Sequence, residues 1–164
     1  MKKLLDVDKI DREIMSIMLE DAKTSYADIG QKLYVSGGTV HVRLKKLIDQ
    51  GVIQGSRLKV DFSKLGFDII AFLGIYLEKS HMYGDVIASL KAIPEVVSAH
   101  YTTGTYSIFA KIMCQDTLHL RDVLSNKIQG IEGIQRTETF ISLEESINRS
   151  PQIVEVDKEE KMGS

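Results

Sequence analysis

Residues 35–47, VSGGTVHVRLKKL, crowd several groups able to meet a polyanion into one short stretch. Arg43 carries a planar donor fork that matches guanine O6 and N7. Lys45 and Lys46 are point charges suited to phosphate oxygens, contacts that position a protein without reading sequence. Thr39 and His41 are short enough to reach base edges. Ser36, Gly37 and Gly38 precede them with little side-chain bulk, so the N–H groups of a helix start there could take a phosphate. Arg57, with Lys59, could grip the flanking backbone. No acid interrupts the run before Asp49. A solvated helix face offers the same charges, so the elements that carry these residues have to decide between the two.

Those elements are legible in the pattern. Ile10, Ile14, Ile17 and Met18 fall on one helical stripe, with Asp8 or Asp6 available to cap it. Ser25 precedes a short helix with Asp28 at its third position, a variant of the capping box. Ala27, Ile29 and Leu33 form its buried side. After a break at Tyr34-Val35-Ser36, a third helix runs from Gly37 to Gln50. Val40, Leu44, Leu47 and Ile48 face inward, and Gly51 is a C′ stop. Helix, three-residue break, basic helix is the helix-turn-helix arrangement, whose second helix enters the major groove. Val52-Ile53 and residues 57–60, joined by Gln54-Gly55-Ser56, read as a small hairpin, the wing.

Beyond Asp61 the period changes. Strands are expected over 71–79, 96–104, 106–114 and 134–146, and helices over 82–93 and 117–131, with a tight turn at Gly104-Thr105. The order β-α-β-β-α-β is the ferredoxin-like unit. The fold class is therefore α+β: an N-terminal winged helix-turn-helix domain over 1–60, a connector over 61–70, a C-terminal ferredoxin-like βαββαβ domain over 71–146, and a polar tail over 147–164.

Charge agrees with two jobs. The net charge is -2, yet residues 1–60 hold 11 Lys and Arg against 8 Asp and Glu, and the remainder 10 against 15. A local basic stripe on a mildly acidic chain points to a polyanion at one part of the surface. Hydrophobic residues at 43% and charged residues at 27% are an ordinary globular balance. No run reaches the roughly 18 apolar residues of a membrane span, and the N-terminus lacks a signal-peptide core. Cys114 stands alone, without a disulfide partner or metal-ligand spacing. A reduced, cytoplasmic setting is expected, with no metal, no cofactor and no membrane.

The chain resembles the Lrp/AsnC (feast/famine) family of transcription regulators. The resemblance rests on "DKIDREIMSIMLEDAKTSYADIGQKLYVSGGTVHVRLKKLIDQGVI", "GFDIIAFLGIYL", "YTTGTYSIFAKIMC" and "IQRTETFISL". "YTTGTYSIF" and "NKIQGIEGIQRTET" look most like the asparagine-sensing AsnC branch. The resemblance implies double-stranded DNA as partner, homodimers formed by pairing sheets, and assembly of dimers into an octamer or similar ring. It also implies a small effector, an amino acid such as asparagine, bound between dimers near the turn of the two middle strands. Carried over, that turn is Tyr101, Thr102, Thr103, Gly104, Thr105, Tyr106 and Ser107. Many members have aspartate where this chain has Ser107. Gly104 permits close ligand approach, free N–H groups can hold a carboxylate, and hydroxyls can read an amide. Gln129, Thr137 and Thr139 are further effector candidates, although threonines in strands are ordinary.

Two other functions share this architecture. Some sirohaem decarboxylases are similar in fold, so fold alone does not exclude catalysis. His41, His81, His100 and His119 nevertheless lie on separate elements, and no nucleophile elbow, phosphate loop or His-Glu-x-x-His occurs. An amino-acid sensor without DNA binding would have no use for the basic helix. The expectation is a regulator, not an enzyme.

Overall fold

A computed structural model describes residues 6–153 of the chain. It divides into two compact units, one reaching Leu58 and joined by the segment from Asn148, the other Lys59–Ile147. The start of the expected tail thus groups with the first unit; residues 154–164 lie outside the described residues.

The first unit holds α1 (Lys9–Glu20), α2 (Tyr26–Leu33) and α3 (Gly37–Asp49). Each begins on a side-chain cap written locally in the sequence. The Asp11 backbone N–H donates to Asp8 Oδ1 at 2.9 Å, and the Asp8 N–H donates back to Asp11 Oδ2 at 3.3 Å, a reciprocal capping box. Ser25 Oγ accepts from the Asp28 N–H, and Ser36 Oγ from the Thr39 N–H. The core is Ile14, Ile29, Val40 and Leu44, with Ile10, Ile17, Met18, Leu33, Val35 and Ile53 packed around it. Two expected core positions differ: Ile48 is 54% exposed, and Ala27 lies on the outer side of α2. Gly51 closes α3 at φ +70, with the Val52 and Ile53 N–H groups both returning to the Leu47 carbonyl.

The expected wing hairpin is not formed: residues 53–60 adopt neither strand nor helix. Leu58 is exposed at 85%, so the segment has no apolar face against which a two-stranded ribbon could be held. A 3₁₀ turn, Phe62–Leu65, capped by Asp61, occupies the connector instead.

The second unit is a four-stranded antiparallel sheet, β1 (Ile69–Leu77), β2 (Val96–Tyr101), β3 (Ile108–Cys114) and β4 (Ile134–Ile141), in the order β2-β3-β1-β4. Two helices, α4 (Tyr83–Lys91) and α5 (Thr117–Asp122), complete the ferredoxin-like βαββαβ order. The β1 strand starts two residues before expectation, and β4 ends five residues before it. β2 and β3 are joined by a loop over 102–107 rather than a two-residue turn. The period-2 pattern sends Ala71, Leu73, Ile75, Ile108, Ala110, Ile112 and Cys114 to one face, where Val86, Leu90, Leu120, Val123 and Ile128 cover them. The second helix changes pitch, and Val123–Ile128 is a π-helical turn.

Glu95, between α4 and β2, ties that turn down. Its Oε1 accepts from Lys127 Nζ at 2.7 Å and lies 3.1 Å from His119 Nε2. Burial pushes its carboxyl up, but the Lys127 ammonium, its own backbone N–H and His119 outweigh burial and hold it at about 2. A depressed carboxylate pKa stabilises the fold above the ordinary value near 4.5, and that stability disappears as pH falls through about 2. Glu95→Gln should cost about 3 kcal/mol at neutral pH and flatten the loss of stability across this acid window. Denaturant unfolding of both proteins from pH 7 to 2 checks this; parallel pH profiles would refute it.

Candidate nucleic-acid interface and effector turn

On α3 the core stripe is Val40, Leu44 and Leu47. The opposite stripe, at the i, i+4, i+7 spacing of one helix face, is Gly38, Val42 and Lys45, all exposed. The glycines separate here. A Cβ on Gly37 would lie 3.4 Å from the Tyr26 carbonyl and 3.5 Å from Ala27, in ordinary contact, so Gly37 faces α2. A Cβ on Gly38 would meet only Ser36 Oγ, at 3.7 Å. Nothing inside the domain requires a glycine there.

The polar residues of this region have distinct positions. Ser36 caps the helix, and its hydroxyl lies 2.9 Å from that of Thr39. His41 sits to the side, its ring 5.7 Å from that of Tyr26. Lys45 is exposed, with no ion pair among the described residues, and Arg57 is exposed beyond the helix. Lys46 turns toward α1, donating to the Asp6 carbonyl at 3.2 Å and lying 3.8 Å from Asp11 Oδ2.

Arg43 differs most from its expected role as a guanine reader. Its Nη1 donates to Asp8 Oδ2 at 2.6 Å and to Asp11 Oδ1 at 2.8 Å. Asp11 is wholly buried. The guanidinium therefore fastens α3 to the start of α1 and neutralises a buried acid. The Asp11 N–H and the guanidinium also hold the Asp8 carboxyl below the usual carboxylate range. Sequence reasoning missed both this pairing and Val42, which is 67% exposed in the middle of the outer stripe. The signal for Val42 was available: it lies two residues from Val40 and Leu44, so it must point away from them.

The effector candidates form two groups. In the 102–107 loop, Thr102 Oγ1 donates to the Tyr106 carbonyl at 2.7 Å, and the Thr102 N–H donates to the Ser107 carbonyl. Thr103, Gly104 and Thr105 stand exposed at the tip, with Gly104 at φ +104, where an L side chain is strained. The two tyrosines part. Tyr101 packs toward the helices, 4.4 Å from the Tyr83 ring. Tyr106 lies over Gly74 on the helix-free face and donates to Glu138 Oε2 at 2.8 Å. Tyr76 donates to Glu138 Oε1 at 3.0 Å, and Arg136 stacks 3.7 Å above the Tyr76 ring.

Gln129 and Thr137 line a separate shallow depression with Ile134, Gln135 and Arg136. Thr139 follows on β4 opposite Leu73. β2 and β4 are opposite edges of the sheet, yet Tyr106 reaches across it from the loop to Glu138, which lies between Thr137 and Thr139. Among the described residues no group of three or more His, Cys, Asp or Glu could hold a metal ion, and no helix is long and apolar enough to cross a membrane.

Comparison with known proteins agrees with both halves of this geometry. A winged helix-turn-helix DNA-binding profile matches residues 7–54, and the Lrp/AsnC ligand binding domain matches residues 70–152. The regulatory protein AsnC of Haemophilus influenzae is 43% identical over 144 residues, 88% of this chain and 96% of that protein. The solved structure of Escherichia coli AsnC superposes with a TM-score of 0.86 at 42% identity, over 89% of this chain and 98% of that one. A Neisseria meningitidis transcriptional regulator in complex with L-methionine shares the fold, with a TM-score of 0.83 at 19% identity, over 87% and 94% of the two chains.

Proposed function

The chain belongs to the Lrp/AsnC family of DNA-binding transcription regulators, and from that premise we propose that α3 is its reading helix and that an amino acid, asparagine first, sets its DNA binding. It acts in the cytoplasm on genes of amino-acid metabolism. The observation that carries the reading is the outer face of α3. A helix held by α1 and α2 presents Gly38, Val42 and Lys45 outward, with only Ser36 Oγ near the place a Gly38 Cβ would take. Lys45, with Arg57, meets phosphates, and His41 and Thr39 border the groove. Arg43 acts from behind, by positioning the helix. The relatives' role as regulatory proteins favours this reading over a decarboxylase of similar fold.

Gly38→Ala separates the fold from the interface. It should raise the stability of α3 by up to about 1 kcal/mol, yet weaken binding to every duplex, since within the domain the added methyl would meet only Ser36 Oγ, at an ordinary 3.7 Å. Higher stability with unchanged DNA affinity would remove Gly38 from the interface.

For the second unit, we propose sheet-to-sheet dimers built on the helix-free face, where Phe72 and Phe109 stack at 5.8 Å and Tyr106 lies 6.2 Å from Phe140. Dimers join into an octamer or similar ring. The exposed loop tip, Thr103 to Thr105, and the open depression at Gln129 and Thr137 support an effector site completed by a second copy. DNA titrations with and without asparagine test this. Asparagine should shift the DNA affinity or the assembly size of the native chain. Gly104→Val should lose that response while still binding DNA. A response that survives Gly104→Val would contradict the pocket; no response to any of the twenty amino acids would contradict the sensor.

A further inference from the structure

Val42 is 67% exposed, and a lone exposed valine is ordinary on a protein surface. Its neighbours make it more than that. Helical side chains lean toward the N-terminus, so the Val42 methyls lie over the turn that contains Gly38. Gly38 has no Cβ there, and little of the protein would meet one. The result is an apolar lip on a shallow groove of about 580 Å³, lined by Gly38, Thr39, Val42, Arg43, Lys46 and Asp8.

The polar groups on that groove already have partners within the domain. Arg43 is held by Asp8 and Asp11, Lys46 by the Asp6 carbonyl and Asp11, and the Thr39 hydroxyl by Ser36. What remains for reading at the centre of the face is apolar. In the major groove the base-edge feature that matches an isopropyl group is the thymine C5-methyl.

We propose that Val42 reads a thymine methyl, one in each half-site, with Gly38 providing the clearance that lets the base edge reach it. The proposal rests on α3 being the reading helix, and the experiment separates the two. The full chain selects its site from random duplexes. Each thymine of that site is then replaced singly by deoxyuracil, which removes the methyl and leaves the hydrogen-bonding edge intact. Affinities are measured for the native chain and for Val42→Ala, an exposed change that improves helix propensity and keeps the fold.

At one thymine per half-site, deoxyuracil should weaken the native chain roughly 3- to 10-fold. Val42→Ala should bind the thymine and deoxyuracil forms equally. A selected site in which no thymine methyl matters overturns the Val42 assignment alone, as does an equal penalty in both proteins. Enrichment of no sequence at all overturns the reading helix, and the Val42 assignment with it.

Discussion

Arg43→Ala should unfold the DNA-binding unit far more readily while leaving its sequence preference intact. The basis is Asp11, a carboxylate with no solvent exposure that accepts from Arg43 Nη1 at 2.8 Å. Removing the guanidinium leaves that acid with the Asp8 N–H at 3.3 Å and with Lys46 Nζ 3.8 Å away. Breaking a buried pair by deleting one partner costs about 3 kcal/mol, because the buried acid then keeps only these two longer contacts. Denaturant unfolding followed on the helical signal should show an early transition. At temperatures where the unit remains folded, the ratio of selected-site to random-site affinity should match that of the native chain. If Arg43 reads a guanine instead, stability stays unchanged and the ratio falls.

Gly74→Val should expel Tyr106 from the sheet face. A Cβ at Gly74 would lie 2.5 Å from two ring atoms of Tyr106, and a valine adds two more carbons. The ring cannot retreat without giving up its 2.8 Å hydrogen bond to Glu138 and its edge contact with Tyr76 at 5.3 Å between ring centres. Overpacking of this kind costs about 1–3 kcal/mol. The larger effect is on association, since Tyr106, Phe109 and Phe140 belong to the face proposed to pair with a second copy. Sedimentation should show the variant as monomer where the native chain is a dimer or larger. Asparagine response should weaken as well, because the loop carrying Gly104 is anchored by Tyr106. An intact oligomer would place the pairing surface elsewhere.

The parts of the fold that could be read in advance are those whose causes are local. Asp8, Ser25 and Ser36 each cap the helix that follows within three residues, so the starts of α2 and α3 are legible and that of α1 is narrowed to Asp6 or Asp8. The alternation in β1 and β3 likewise fixes the buried face of the sheet. What escaped depends on distant partners. Arg43 is separated from Asp11 by 32 positions, and a basic residue in a basic run gives no sign that it turns inward. The hairpin over 52–60 failed for the complementary reason: alternating residues form a ribbon only where something covers one side, and Leu58 has no cover. The π-helical turn leaves no pattern at all in the sequence, and its Lys127 is held by Glu95, 32 positions away. At the candidate site, charge type drew attention to α3, but did not show which of its side chains face outward.

The measurement to make first is selection of binding sites from a random duplex library by the full native chain, followed by affinity for the winner and for unselected DNA across a salt series. One pseudo-palindromic sequence should emerge, with half-sites about one helical turn, or a multiple of it, apart. Its affinity should fall steeply as salt rises, as phosphate contacts require. The preference over unselected DNA should be at least about a thousandfold. Equal binding to all duplexes, or none at any salt, would contradict a reading role for α3.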